Sequence, residues 1–214
     1  MNAFYEREIE LVMIKELQDS IWAKQATYLR ENTGESVVKC LDIFQHEGKH
    51  YAVYEYITLS LFELQANPLF DDLSLASVMG QILPSLAKLE AKGLEHGQLT
   101  TSNILIDLHG TVKLWGYEHL QDRSGHSRNI SDLEAIVSRL MQGYINNEGG
   151  TPKIDDKGRW PAKSHAIRFF SAMQDAQTIS HLKDDPLLKL PWRKFHLQKI
   201  ANLTNIWSFR VHEE

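Results

Sequence analysis

The sequence predicts an α+β fold, a small antiparallel sheet with one helix followed by a larger, mainly helical part. Three observations carry this reading. Before Tyr56 the apolar residues fall in short β-rich runs, after it they recur at helical steps of three and four, and turn residues punctuate the runs.

The first strand is the apolar run at 10–15, ELVMIK. A helix is expected over about 19–32, with Ile21, Trp22, Ala26 and Leu29 inward and Thr33-Gly34 ending it. The stretch 9–29 also reads as one long helix with Leu11, Ile14, Leu17 and Ile21 on a face, so two readings of the opening stand. VVKCLDIF from Val37 and HYAVYEY from His50 are the next strands, and HEGK between them has the chemistry of a hairpin turn. A three-stranded antiparallel sheet with one helix results.

The helical part opens with Leu75, Val78, Ile82, Leu86 and Leu89 on one stripe, Ser74 placed as N-cap and Gly93 as stop. Pro84 inside it predicts a bend. NILI and TVKL are two short strands joined tightly through Asp-Leu-His-Gly. A second long helix starts at Ser131, with Leu133, Ile136, Val137, Leu140 and Tyr144 inward, and NNEGGTP after it is a loop. A third helix runs over about 163–174 on Ala166, Phe169, Phe170 and Met173. Asp185-Pro186 ends a further short helix, and the tail from Trp192 reads as a last helix packed by Phe195, Leu197 and Ile200.

Composition narrows the function classes. A chain of 214 residues with 43% hydrophobic and 24% charged side chains buries a core without staples and carries no bias toward disorder. A net charge of -5 argues against nonspecific attraction to nucleic acid or anionic lipid. Cys40 is the single cysteine, so no internal disulfide forms, and the opening MNAFYEREIE is charged where a secretory signal is apolar. No run approaches the roughly 18 apolar residues that span a bilayer. The expectation is an intracellular protein, in cytoplasm or nucleus, that binds neither nucleic acid nor membrane.

The segment 95–116, EHGQLTTSNILIDLHGTVKLWG, carries more particular information. It keeps His96, Leu99 and Asn103 in register with the protein-kinase signature H-R-D-L-x-x-x-N, and two strands follow as they do before D-F-G. LDIFQHEGKHYAVYEY resembles the fourth and fifth strands of a kinase N-lobe running into the hinge, at Glu55 and Tyr56. Ser131-Asp132 resembles the start of the central C-lobe helix, and RWPAKSHAIRFFSAM with DPLLKLPW resembles the closing helices. The chain therefore resembles a degenerate protein-kinase-like domain of a kind seen in filamentous fungi. The resemblance implies a truncated N-lobe at 1–57, a C-lobe at 58–190 and a helical tail at 191–214.

The departures from that pattern concern the chemistry. The catalytic-loop Asp, which accepts the substrate proton, is matched by Gln98, and the loop Lys by Thr100. The magnesium-binding Asp of D-F-G is matched by Gly116, followed by Tyr117 and Glu118, an acid two places out of register. No glycine precedes Lys15, so the phosphate lid is missing. Lys15 in VMIK resembles the Lys of V-A-I-K, but its helix partner is matched by Gln25, and without that ion pair nothing in the sequence fixes the ammonium over a phosphate, leaving at most a weak contact. The stretch from Glu118 to Ser131 is too short for an ordinary activation segment, no Ala-Pro-Glu appears, and Ala176 stands where the Arg that pairs with its Glu would sit. Losing both ends of that pair is less costly than losing one.

The resemblance implies no intact catalytic residue at His96, Gln98 or Asn103, and a nucleotide site reduced to Lys15, Tyr54, Glu55, Tyr56, Ile57 and Asn103. It implies no required cofactor, at most weak ATP binding and no magnesium site. Other candidates have ordinary readings: His96 as a packing residue, His46 and His50 as exposed residues flanking a turn rather than zinc ligands, Cys40 as a small core residue. Trp115 and Tyr117 sit where the floor of a nucleotide pocket would be, and their rings plug it on this reading. The expected function is a catalytically inactive kinase-like module for protein interaction or allostery, its partner unknown. The alternatives are an ATP-binding Ser/Thr-type kinase of unusual mechanism, and a chain that begins inside a longer protein. An upstream part would restore the lid but not Gln98 or Gly116.

Overall fold

The computed structural model describes residues 11–123, 127–146 and 152–211. The charged opening at 1–10, the middle of the expected NNEGGTP loop and residues 124–126 of the short stretch before Ser131 lie outside the described residues.

The fold is α+β, with five helices and small antiparallel sheets among the described residues. The opening is a strand, β1 (Val12–Glu16), and the long helix over 9–29 does not form. Backbone pairing continues past it, Leu17 N–H donating to the His50 carbonyl at 2.7 Å. Helix α1 (Trp22–Glu31) starts three residues later than expected and turns Gln25, Ala26 and Leu29 inward, while Ile21 is its exposed N-cap. Trp22 instead stacks flat on His50, ring centres 3.9 Å apart.

Strands β2 (Cys40–His46) and β3 (Lys49–Glu55) form the expected hairpin. Its turn uses Glu47 and Gly48, both left-handed with φ of 48° and 80°, as a tight two-residue connection requires. Val37 and Val38 were expected to begin β2. They pair elsewhere: Leu114 N–H donates to the Ser36 carbonyl and Val38 N–H to the Leu114 carbonyl, tying this segment to the other half of the chain. The sheet order is β1-β3-β2. Register sets Lys15 opposite Ala52 and Met13 opposite Tyr54. Side-chain alternation therefore puts these four on the inner face and Val12 and Ile14 on the outer one.

The two-residue strand β4 (Leu59–Ser60) was not anticipated, being too short to show a period. It joins β6 (Ile104–Ile106) and β7 (Val112–Leu114), the expected NILI and TVKL hairpin, in the order β4-β6-β7. Between β4 and β6 come helix α2 (Asp72–Ala91) and strand β5 (Leu94–Glu95), which pairs with β8 (Gln121–Asp122). Asp71 rather than Ser74 caps α2: its carboxylate accepts from Ser74 N–H at 2.8 Å and from the Ser74 hydroxyl. Pro84 lies inside α2 on an exposed position and does not end it.

Helix α3 (Arg128–Gln142) begins three residues before Ser131 and ends on Gly143, left-handed at φ 83°. That reversal takes Tyr144 out of the helical stripe and leaves it half exposed, contrary to expectation. Helix α4 (His165–Asp175), capped by Ser164, buries Ala166, Phe169, Phe170 and Met173 as its spacing predicts. Asp185 caps a short 3-10 turn at Pro186–Lys189. Helix α5 (Phe195–Val211) buries Leu197 and Ile200, but Phe195 faces solvent and lies against His196. The segment leading into α5 packs closely on α2, where a Cβ at Gly80 would collide with the Trp192 ring. Among the described residues no helix is long and apolar enough to cross a membrane.

Candidate functional site

The inner face of the three-stranded sheet and the turn after β7 meet at a polar cluster. Strand alternation sends Lys15 and Tyr54 to this face. After β7, Trp115 N–H donates to the Asn103 carbonyl at 2.9 Å, and Gly116 adopts φ 95°, which side-chain-bearing residues rarely reach. A 3-10 turn at Tyr117–His119 follows. It buries Tyr117 against the edge of the His96 ring and brings Glu118 to Lys15.

Glu118 is 3% exposed, and it ion-pairs with Lys15, whose side chain is one-third exposed. The Tyr54 hydroxyl donates to the other carboxylate oxygen at 3.2 Å. His119 Nε2 lies 3.3 Å from the Lys15 ammonium and 3.5 Å from Glu118 Oε1. The ammonium also sits 4.9 Å from the centre of the Trp115 ring, which meets Tyr54 edge-on. Burial, with the Glu118 charge second, pushes the Tyr54 hydroxyl far above its usual range, so it remains a donor. Burial also lowers the His119 pKa; Glu118 opposes this and Lys15 adds to it. The arrangement is a buried carboxylate satisfied from two sides, with the lysine charge neutralised by the chain itself.

This gives Lys15 a partner that the match to Gln25 did not supply. Its partner comes from the turn after Gly116, in the acid that the sequence pattern set out of register. Gln25, matched to the partner's place, is buried and accepts from Gln18 N–H at 2.9 Å. The one sequence signal was an acid set in apolar company directly after a Gly-Tyr pair, and many surface loops share that feature.

The remaining candidates are dispersed. His96 is fully buried, its N–H donates to Asn129 Oδ1 at 3.1 Å, and burial pushes its pKa down to about 4, so the ring is neutral. This contact ties the loop to Asn129 in the first turn of α3. Asn103 closes the loop on itself, its amide donating to the Gln98 carbonyl at 2.8 Å, and the Gln98 residue is exposed. Glu55 turns away from Lys15 to pair with Lys113 at 2.6 Å and accept from Lys39 N–H at 2.7 Å. Tyr56 is exposed and Ile57 buried. Of the six residues expected around a nucleotide, Lys15 and Tyr54 share the cluster, and both face Glu118.

His46 is exposed, whereas His50 is engaged with Trp22. Among the described residues no group of three or more His, Cys, Asp or Glu could hold a metal ion. The Cys40 thiol is half-buried rather than in the core, and burial raises its pKa. No protein-family model matches the chain.

Proposed function

We propose that the chain is a catalytically inactive, protein-kinase-like domain that serves as an interaction or allosteric module. Supporting this reading is the element order: strand, helix, two strands, long helix, loop with His96 and Asn103, paired strands, then further helices, as the resemblance requires. The observation that carries it is the Lys15–Glu118 pair beside Gly116.

Phosphoryl transfer depends on positioning and on neutralising charge. It needs a base, a carboxylate for magnesium and a cation free to meet phosphate. Gln98 is a carboxamide, Gly116 has no side chain, and Lys15 already meets a carboxylate. A nucleotide phosphate would have to take the ammonium from Glu118 and leave a buried carboxylate unpaired, a loss of about 3–5 kcal/mol. An Asp introduced at position 116 would carry a strain of roughly 1–2 kcal/mol at φ 95°.

Thermal unfolding with and without millimolar ATP, in magnesium and then in EDTA, tests this. The expected shift is under about 1 °C in both, whereas occupancy at a hundred times the Kd gives about 2.7 kcal/mol, or several degrees. A magnesium-dependent shift together with phosphotransfer that Asn103→Ala abolishes would replace this reading with that of an active kinase.

A further inference from the structure

The turn that presents Glu118 to Lys15 presents Tyr117 to a different space. Tyr117 is 3% exposed and lines two adjoining cavities, of about 290 and 430 Å³, which also share Asn32, Thr33 and Val37. Together they form a groove between the segment after α1 and the C-terminal end of α2. Its floor is apolar, with Val37 common to both halves and Leu89 and Leu29 at either end.

The polar groups around this floor are mostly donors. The Tyr117 hydroxyl has no hydrogen-bond partner among the described residues, and neither do the Ser85 hydroxyl and the Lys88 ammonium in the same half. Lys92 closes that end, held by Asn32 Oδ1 at 2.8 Å, and Lys39 lies in the other half. Of the two carboxylates lining the groove, Glu55 is engaged by Lys113, and Glu31 belongs to an exposed residue.

A donor-rich rim over an apolar floor selects its ligand. A neutral hydrocarbon would leave a buried hydroxyl unpaired, and a cation would meet lysines. An anion with no apolar body would leave the floor wet. We propose that this groove binds a small apolar carboxylate, its anionic group meeting Lys88 and the Tyr117 hydroxyl and its body covering Val37 and Leu89. The cavities are of the size that small-molecule sites occupy. The site does not depend on the kinase-like reading, since it uses neither Lys15 nor Glu118.

Saturation-transfer NMR and calorimetry on the full chain, with 2-naphthoate as probe and 2-naphthamide and acetate as controls, test it. The acid should bind with a Kd on the order of 0.1 mM, given ordinary ligand efficiency for so few atoms. Both controls should bind at least about tenfold more weakly, one lacking the charge and the other the apolar body. Tyr117→Phe keeps the ring against His96 and should weaken 2-naphthoate about fivefold, as should Lys88→Gln on the exposed face of α2. No binding of 2-naphthoate, equal binding of the amide, or unchanged affinity in Lys88→Gln would each overturn the proposal.

Discussion

The three-stranded sheet and the helices hold together in different ways. On α2, Leu75, Val78, Met79, Ile82 and Leu86 are fully buried, and α3 and α4 add Leu133, Leu140 and Phe169 to the same core. On the sheet, Val12, Ile14, Leu41 and Phe44 are exposed, and the inner face ends in the cluster around Lys15. The helical part is thus secured by extensive apolar burial, and the sheet by strand pairing, a smaller buried face around Leu17, Ala52 and Tyr54, and a charged contact with the turn after β7. Regions with few buried apolar contacts open locally at lower cost. Any conformational response is therefore expected in the sheet and the turn beneath it.

The sharpest way to break this contrast is to remove the same side chain from both parts. Phe169→Ala, at a fully buried site, should cost about 4 kcal/mol. That lowers the Tm by roughly 10 °C for a chain of this size. Phe44→Ala, at a partly exposed site where the ring lies 5.4 Å from Tyr51, should cost under about 1 kcal/mol. Equal losses in thermal unfolding would mean that the sheet is buried as deeply as the helices. Hydrogen exchange of β1 amides should run ahead of exchange in α3.

A smaller effect probes the charged contact itself. Lys15→Ala strands the Glu118 carboxylate and should cost about 3 kcal/mol in urea unfolding, toward the lower end for a buried pair because Lys15 is partly solvated. The double variant Lys15→Met/Glu118→Leu removes both charges and should fall within about 1 kcal/mol of the parent. If the double variant is as damaged as the single one, packing rather than charge holds the sheet to the turn.

Acid titration separates two groups at the loop with opposite signs. His96 is kept neutral, with its folded pKa near 4 against an ordinary 6.5. The unfolded chain therefore takes up the proton first, and stability is present above pH 6.5 and lost as the pH falls toward 4, by an amount on the order of 3 kcal/mol. Asp132, raised to about 6 mainly by burial, holds a proton more readily in the folded state and gains stability over much of the same window. It is only partly buried, so its contribution is the smaller. Asp132→Asn should accordingly steepen the loss of stability between pH 6.5 and 4. An unchanged slope would show that Asp132 does not offset His96.

Much of the helical part was legible in the sequence because its signals are local. The steps of Leu75 to Leu89 and of Ala166 to Met173 identify one buried face each, and the helices fall where those stripes lie. The errors cluster at ends. Ser74 and Asp71 are both good caps, and which one served depended on where the preceding chain lay. Tyr144 and Phe195 continue an apolar rhythm past the point where a left-handed glycine or the helix start breaks it. In the candidate site the residues themselves were legible, and their partners were not. Lys15, Tyr54 and Glu118 were each singled out, but Gln25 was matched to the place that Glu118 fills.

The sequence by itself determined the α+β order, the Glu47-Gly48 hairpin turn and the residues at positions 98 and 116, neither of them an acid. These follow from side-chain period, backbone conformational preference and residue identity, which act over a few neighbours. Only the tertiary structure decided the strand order β1-β3-β2, the tie of Val38 to β7 and the capture of Lys15 by Glu118. A charge pairs with whichever opposite charge the packed chain delivers to its desolvated surroundings. That choice is made by the fold and not by local preference.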